Sequence, residues 1–347
     1  MMPVPTRFRY EALLDAAGLF AVAPASALRC ARRGVFLLLL GVAGVAGAQS
    51  YPVKPVRVIL PYAAGGGADT LTRVVVQALG DLWKQPVVAD NRPGAGATIG
   101  TDLVAKAVPD GYTLLMTAGT MAVSPAAYAK LPYDVLKDFA PITLLAQTPY
   151  VLAVNPKVPV QNFAELLALA RSAPGKLNYG SPGNGTLSHL TYELLRSRAG
   201  IHSTVIAYKG SNPALIDVLG GQVDFVLDTP AAVMQHVRSQ KLRALGVTTA
   251  KRAPIMPGVP TIGESGVNDF EVSVWFGLMA PTGTPAEIVR KVHADVVTVL
   301  ALPAVAERLK TEGMEPVTML PAEFATYLRS EVSKWAALVK QANIKFE

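Results

Sequence analysis

A glycine-rich turn joins an apolar strand to an amphipathic helix early in the chain. Residues 58–73 read VILPYAAGGGADTLTR, and apolar residues recur at helical spacing from Leu71 onward. Because glycines 65–67 lack a Cβ, a ligand can closely approach their amide groups. The helix adds unpaired N–H groups and the positive end of its dipole. The segment predicts either an anion-binding turn or a tight connection in which Asp69 is the N-cap.

A second glycine-rich turn, residues 179–189, reads YGSPGNGTLSH and leads into another helical pattern. Ser181, Asn184 and Thr186 offer neutral hydrogen-bond donors beside a second helix N-terminus. A capped turn without a ligand explains this segment equally well. Two such turns in one chain favour a cleft between two lobes that closes both turns on one anion.

The first 48 residues have the pattern of a secretory signal peptide with an upstream extension. Arginines between residues 29 and 33 precede an uncharged stretch at 35–45, and small residues follow up to Ala48. This stretch is too short to span a bilayer comfortably. We expect cleavage near Ala48 and a periplasmic protein, while the translation start and the export route, Sec or twin-arginine, stay open.

Cysteine usage and charge exclude several classes of function. The one cysteine, Cys30, lies in the leader, so disulfides, thiol catalysis and zinc–thiolate sites are excluded from the mature chain. Roughly 300 remaining residues are enough for a core divided between two domains. The formal net charge is +7, but the basic residues are scattered, and nucleic-acid binding therefore has little support. A mild positive field would help an anionic small molecule to approach.

Strand-like and helix-like segments alternate through most of the mature sequence, which predicts parallel sheets covered by helices, the α/β class. The predicted strands are 56–61, 87–89, 113–117, 151–155, 205–208, 225–227, 242–247 and 272–280. The predicted helices are 69–82, 98–107, 162–172, 186–199, 213–220, 230–239, 285–301 and 321–342. Open α/β sheets bind ligands beyond the carboxyl ends of their strands, where both glycine turns lie.

Short motifs follow one another in a specific order along the mature chain. They are PYAAGGGAD at 61–69, NRPGAGATIG at 91–100, AVPDGYTL at 107–114, the second turn at 179–189, YKGSNPAL at 208–215 and GGQVDFVLD at 220–228. In this order and spacing the chain resembles the solute-binding proteins of the tripartite tricarboxylate transporters (TTT), the Bug (Bordetella uptake gene) family. The match covers essentially the whole mature chain. One departure is Ala64, where the family usually has proline.

The resemblance implies an α/β two-lobe periplasmic binding protein, of the Venus flytrap kind and type II-like, with the ligand cleft between its lobes. We expect lobe 1 to comprise residues 49–152 and 272–347, and lobe 2 residues 153–271. The ligand implied is a small carboxylate: a di- or tricarboxylate, an amino acid or an aromatic acid. A monomeric protein would deliver it to the integral-membrane permease subunits, without a cofactor, metal or covalent chemistry.

The resemblance also implies that the two turns pinch the carboxylate through N–H groups, hydroxyls and ordered water. The expected ligand-binding residues are Tyr62, Ala64, Gly65, Gly66, Gly67, Asp69, Thr70, Thr120, Tyr150, Ser181, Gly183, Asn184, Gly185, Thr186, His189, Tyr208, Lys209, Asp228 and Trp275. Asp69 and Asp228 could bind a ligand amine, although for Asp228 we favour a strand-end carboxylate bonded to loop amides. Lys209 could pair with a second carboxylate or support the hinge. Trp275 could wall the cleft or fill the core.

Other chemistries have weaker support. The Ser188-His189 pair lacks a G-x-S-x-G elbow, and adjacent helix residues point about 100° apart. The glycines at 94–100 have the wrong spacing for a dinucleotide site, and the first turn lacks a P-loop lysine. The histidines show no metal-ligand spacing. A periplasmic enzyme acting on a small carboxylate and a ligand-sensing component of a signalling system stay open as alternatives.

The leader hypothesis predicts that the exported protein begins at or near Gln49, because Ala46 and Ala48 are the small residues that flank the expected cut. Intact mass spectrometry of the periplasmic fraction measures this directly. A mature protein that retains Arg33 would refute the hypothesis.

Overall fold

The computed structural model describes residues 51–341 and residue 344. The predicted signal segment lies outside the described residues. Within these residues, no helix combines the length and apolar character needed to cross a membrane.

Strands and helices alternate along most of the described chain, as the sequence predicts. The strands are β1 (Val56–Leu60), β2 (Val87–Asn91), β3 (Thr113–Ala118), β4 (Phe139–Pro149), β5 (Val151–Val154), β6 (Asn178–Ser181), β7 (Thr204–Ala207), β8 (Phe225–Asp228), β9 (Arg243–Val247), β10 (Ser273–Pro281) and β11 (Glu315–Pro316). The α-helices are α1 (Gly67–Trp83), α2 (Thr98–Ala105), α3 (Thr120–Ala127), α4 (Phe163–Ser172), α5 (Leu187–Ala199), α6 (Ser211–Gly220), α7 (Pro230–Arg238), α8 (Ala286–Leu300), α9 (Pro303–Thr311) and α10 (Pro321–Gln341).

The strands form two sheets, and each sheet with its helices makes one lobe. The first sheet has the order β11-β4-β10-β3-β1-β2, and the second has the order β7-β6-β8-β5-β9. In the first, β1 is parallel to β2 and β3, whereas β10 is antiparallel to β3 and β4. In the second, β6 is parallel to β7 and β8, whereas β5 is antiparallel to β8 and β9. The prediction of parallel sheets is therefore wrong for β5 and β10, the strands that begin where the chain enters a lobe. Both are antiparallel to their neighbours in the sheet.

The chain passes between the lobes at Tyr150 and returns through residues 248–272. β4 ends in the first sheet at Pro149, and β5 begins in the second at Val151. Thr248 joins the two crossings, since its hydroxyl accepts from the Tyr150 amide at 2.9 Å and donates to the Val272 carbonyl at 2.7 Å. Residues 151 and 152, assigned to lobe 1 by the predicted boundary, lie in the second sheet. The other predicted lobe boundaries stay predictions.

Strand β5 shows why the second lobe carries helices on both faces of its sheet. Leu152 and Val154 belong to a large hydrophobic cluster that continues into the first lobe. Val151 and Ala153 belong to a separate cluster on the opposite face. A strand that is buried on both faces reads as a continuous apolar run, as β5 does.

The sequence patterns do not predict β4, α3 or α9. β4 contains Pro141 and α3 contains Pro125, and proline ordinarily ends regular structure. β4 tolerates its proline because β11 pairs only with Gln147 and Ala146, so that the described chain places no strand beside Pro141 on that edge. These elements form because tertiary packing overrides the local signal.

Helix α10 docks on β10 through Phe324, which is fully buried, meets Trp275 edge-on at 5.8 Å and covers Gly277. We expect Phe324→Ala to lower the free energy of unfolding by about 3–5 kcal/mol, because it leaves a cavity between helix and sheet. Leu320→Ala, which removes a 56% exposed side chain just before the same helix, should change it by less than about 0.5 kcal/mol. Urea unfolding of both variants measures this. Equal effects would contradict the docking.

Candidate functional site

A cavity of about 430 Å³ lies between the two lobes, within the size range of small-molecule sites. The first lobe contributes the turn after β1, the loop at 93–97 and the start of α3. The second contributes the turns after β6, β7 and β8. All of these segments follow the carboxyl ends of strands, which is where α/β sheets bind ligands.

The first glycine turn presents a helix N-terminus to this cavity. Gly66, Gly67 and Ala68 line it, and α1 begins at Gly67 with Gly66 as its N-cap and without a side-chain cap. The first N–H groups of a helix have no acceptor within the helix. An anion at this point would therefore meet amide donors and the positive end of the α1 dipole.

Asp69 braces this turn from behind and does not serve as the N-cap. Its carboxylate accepts from the Gly65 amide and from Asn91 Nδ2, both at 3.0 Å, and pairs with Arg73 at 2.9 Å. Burial opposes its ionisation, but these hydrogen bonds hold the pKa of Asp69 below its ordinary value. The carboxylate is thus already engaged within the first lobe.

The second glycine turn has most of its amide groups paired within the protein. The Gly183 amide donates to Ser181 Oγ at 3.2 Å, and the Gly185 amide donates to His189 Nδ1 at 3.1 Å. Burial, with a contribution from Arg196, lowers the pKa of His189 to about 4, so the imidazole is neutral at physiological pH. The structure therefore differs from the expectation that these amides are directed to a ligand.

The two glycine turns do not face each other across the cavity. The first turn is opposed by the segment that starts α6: a Cβ on Gly65 would lie 3.7 Å from the Asn212 side chain, and one on Gly66 would lie 3.8 Å from Ser211 Cβ. A Cβ on Gly67 would lie 2.6 Å from Thr229 Oγ1, at the N-cap of α7.

The second turn is opposed by α3 of the first lobe. The Tyr128 hydroxyl donates to the Asn184 carbonyl at 2.6 Å, and the Leu187 amide donates to Thr120 Oγ1 at 3.2 Å. A Cβ on Gly185 would lie 2.9 Å from Ala127 Cβ. These contacts hold the lobes together in a closed arrangement.

The structure brings part of the predicted binding set to the cavity. Those that line it are Tyr62, Gly66, Gly67, Thr120, Tyr150, Gly183, Asn184, Thr186, Tyr208 and Lys209. The others do not line it: Ala64 and Gly65 are exposed and Thr70 is half-buried. The remaining six are buried outside the lining, namely Asp69, Ser181, Gly185, His189, Asp228 and Trp275. Trp275 is fully buried and donates to Glu331 at 3.3 Å, as a core residue does. Ligand contact by the lining residues stays a prediction.

Sequence reasoning missed Ser211, Thr229, Tyr128 and the loop at 93–97, which also line the cavity. One available signal was the position of Thr229, which comes two residues after a predicted strand and directly precedes a proline at the first position of a helix. The carboxyl end of such a strand points at the cleft in this class of sheet.

Asp228 lies buried directly behind Ser211 and Thr229. It accepts from the Thr229 amide at 2.8 Å, as expected for a strand-end carboxylate. Burial raises the pKa of Asp228 to about 6, against the opposing effects of the Thr229 amide and the Ser211 hydroxyl. Burial and then the nearby Asp228 charge also raise the pKa of Tyr150.

The raised pKa of Asp228 predicts a pH dependence of stability. The folded-state pKa of about 6 exceeds the unfolded value of about 3.9, so the folded protein binds more protons between these values. This carboxyl group should therefore lower the free energy of unfolding by about 2 kcal/mol as pH rises from about 4 to about 6, and its effect should level off near about pH 7. Asp228→Asn should remove this component. Urea unfolding from pH 4.5 to 7.5 measures it, and parallel wild-type and variant curves would contradict it.

Two α/β lobes that close over a cavity at their strand ends define a periplasmic binding protein. The solved periplasmic binding protein BugD is similar, with a TM-score of 0.82 and 35% identity over 85% of this chain and 99% of BugD. An R. palustris protein solved with adipate has a TM-score of 0.83 and 33% identity, over 85% and 99% of the two chains. MatC from Rhodopseudomonas palustris, with bound malate, has a TM-score of 0.78 and 33% identity, over 83% and 100%.

Residues 71–344 match the tripartite tricarboxylate transporter family receptor, TctC. BugT of Bordetella pertussis (strain Tohama I) is 36% identical over 316 residues, which are 90% of this chain and 97% of BugT. The chain therefore belongs to this family of solute-binding proteins. The resemblance inferred from the order of motifs is confirmed.

Proposed function

We propose that this protein captures a small carboxylate in the interlobe cavity, in the periplasm, and presents it as a closed monomer to the permease subunits of a tripartite tricarboxylate transporter. The observation that carries the proposal is the set of uncapped helix N-termini that line the cavity from both lobes. Two similar proteins are described with the carboxylates adipate and malate.

The charge of the lining supports capture of an anion by neutral groups. Lys209 is the charged side chain among the lining residues, and it is exposed. Helix N-termini and hydroxyls attract an anion at short range without the desolvation of a buried cation. A carboxylate would therefore be held mainly by amides and hydroxyls, and affinity should depend little on salt.

The closed arrangement supports a binding cycle based on hinge motion. The lobes meet through hydrogen bonds from Tyr128 to Asn184 and from Leu187 to Thr120, and they are linked by the two crossings at Thr248. Rotation at those crossings would open the cavity, and closure would bury the ligand. The closed surface is then what a membrane partner would recognise.

The surroundings of Ser188 and His189 support binding over hydrolysis. The Ser188 hydroxyl lies 2.7 Å from both the Leu227 carbonyl and the Tyr179 hydroxyl. His189 uses Nδ1 to accept from the Gly185 amide. A serine nucleophile needs a base within hydrogen-bond reach, and neither bond joins these two residues.

Carboxylate capture predicts a thermal shift with a panel that includes malate, adipate, succinate, citrate and benzoate. At least one acid should raise the melting temperature of the mature protein, since a ligand at a hundred times its Kd adds roughly 2.7 kcal/mol. The methyl esters should not. Gly66→Val should weaken binding at least about tenfold, roughly 1.4 kcal/mol, because its side chain would enter the space beside Ser211.

Gly258→Val is the matched control, because a Cβ at Gly258 would meet no atom within 4 Å. It should bind as the wild type does. Recovery of the acid unchanged after incubation separates capture from turnover. Absence of any shift across the panel, or chemical conversion of the acid, would contradict the proposed function.

A further inference from the structure

We infer that the ligand is an aromatic monocarboxylate, an acid with one carboxylate and a ring that fills the apolar part of the cavity. This inference rests on the proposed function and narrows it to one class of acid. It makes Val274 and Phe276, on β10, the residues that select the body of the ligand. Two of the similar proteins are described with the diacids adipate and malate, so the inference distinguishes this chain from them.

The floor of the cavity is apolar because of the way β10 is oriented. Side chains alternate between the two faces of a strand, so Val274 and Phe276 line the cavity while Trp275 lies against α10. Phe276 is paired with Ala118 at the carboxyl end of β3, and the Ala118 amide donates to the Tyr62 hydroxyl at 3.1 Å. The hydroxyl of Tyr62 is thus bonded to the sheet. We call the four lining side chains the apolar floor: Tyr62, Ala118, Val274 and Phe276.

Several hydroxyls around the rest of the cavity are engaged within the protein. The Tyr128 hydroxyl and Thr186 Oγ1 donate to backbone carbonyls of the second glycine turn at 2.6 and 2.8 Å. The Tyr208 hydroxyl donates to the Asp217 carboxylate at 2.6 Å. Lys209, the charged side chain of the lining, is exposed. A second carboxylate inside the closed cavity would therefore lose its hydration without a buried cation to pair with, which is unfavourable.

The size of the cavity favours a ligand with a bulky body. Its volume of about 430 Å³ equals that of about 14 water molecules in the liquid. A small diacid such as malate would leave water between itself and the apolar floor. That water would have too few polar partners, since an ordered buried water normally makes about three hydrogen bonds. An aromatic ring would displace this water and make offset or edge-on contacts with the rings of Tyr62 and Phe276.

A buried carboxylate also disfavours a second negative charge on the ligand. Burial and then the nearby Asp228 charge raise the pKa of Tyr150, which lines the cavity. Asp228 itself has a pKa of about 6 and is therefore largely ionised at neutral pH. A dianion would place one more charge in the field of this carboxylate than a monoanion does.

Matched pairs of acids test the inference on the mature wild-type protein. Para-methylbenzoate and terephthalate share a ring and differ in the second carboxylate, and hexanoate and adipate share a chain length and differ in the same way. Calorimetry at neutral pH should give a Kd at least about tenfold lower for the monoacid of each pair. The lowest Kd should belong to para-methylbenzoate. A diacid that binds as tightly as its matched monoacid would overturn the inference.

Val274→Thr keeps the shape of the side chain and places a hydroxyl in the apolar floor. It should raise the Kd of para-methylbenzoate by at least about fivefold, because the ring and methyl group would cover the hydroxyl without bonding to it. The Kd of terephthalate should change less, since its second carboxylate would accept from the hydroxyl. The ratio of the two Kd values is the readout, because a purely structural effect would weaken both acids alike.

Val56→Thr is the matched control, because Val56 is fully buried at the amino end of β1, away from the cleft. It should leave the ratio unchanged, and an equal change of the ratio in both variants would contradict the role of Val274. Phe276→Leu keeps the floor apolar and removes the ring. It should raise the Kd of para-methylbenzoate more than that of hexanoate, and equal changes would contradict selection of a ring.

The outcomes distinguish this inference from the proposed function. If no acid of the pairs or of the larger panel binds the wild type, both fail. If acids bind and the diacids bind most tightly, carboxylate capture stands and the inference fails. Tight binding of a diacid that is lost in Lys209→Met would identify the exposed lysine as the partner of a second carboxylate and would also overturn the inference.

Discussion

The direction of the parallel strands is the constraint on which the site depends. β1, β3, β6, β7 and β8 all end at the cleft, so every helix that follows them begins there. Each helix start leaves N–H groups without an intrahelical acceptor. Because the helix starts of the two lobes face each other, N–H donors from both lobes line the cleft. The cleft therefore does not need a concentration of basic side chains. The antiparallel strands β4, β5 and β10 carry the chain between lobes without disturbing this direction.

Local sequence signals predicted the alternating strands and helices within each lobe, but they did not predict which residues of the two lobes contact each other. The run of glycines at 65–67 and the alternation of strands and helices predicted the first turn and the α/β class, because both depend on residues that are close in the sequence. The partners of that turn, Ser211 and Thr229, are more distant in sequence and belong to the other lobe. The way the lobes dock decides which turn lies opposite which segment of the other lobe. The hydrophobic periods of a strand, 2.0 residues, and of a helix, 3.6 residues, carry no information about docking.

The two glycine turns illustrate how similar sequences take different roles. In the first, Asp69 bonds the Gly65 amide from behind, and the start of α1 is left open toward the cavity. In the second, Thr186 caps α5, and His189 takes the Gly185 amide. A carboxylate within the first turn thus braces it, whereas a hydroxyl and an imidazole saturate the second. The difference lies in the side chains that follow the glycines rather than in the glycines themselves.

The hydrogen bonds from Tyr128 to Asn184 and from Leu187 to Thr120 join the lobes without involving a ligand. Their contribution to the free energy of closure is the same for every ligand. They therefore set the fraction of ligand-free protein that is closed, and ligand binding must supply the rest of the free energy of closure. Apparent affinity equals intrinsic affinity multiplied by the fraction of protein that is competent to bind. A change that weakened only the bond from Tyr128 to Asn184, and left the surface that Tyr128 contributes to the cavity unchanged, would therefore scale the affinities for all ligands by one common factor and leave their ranking intact. Evolution of uptake at different nutrient concentrations could act on such positions without changing what is recognised.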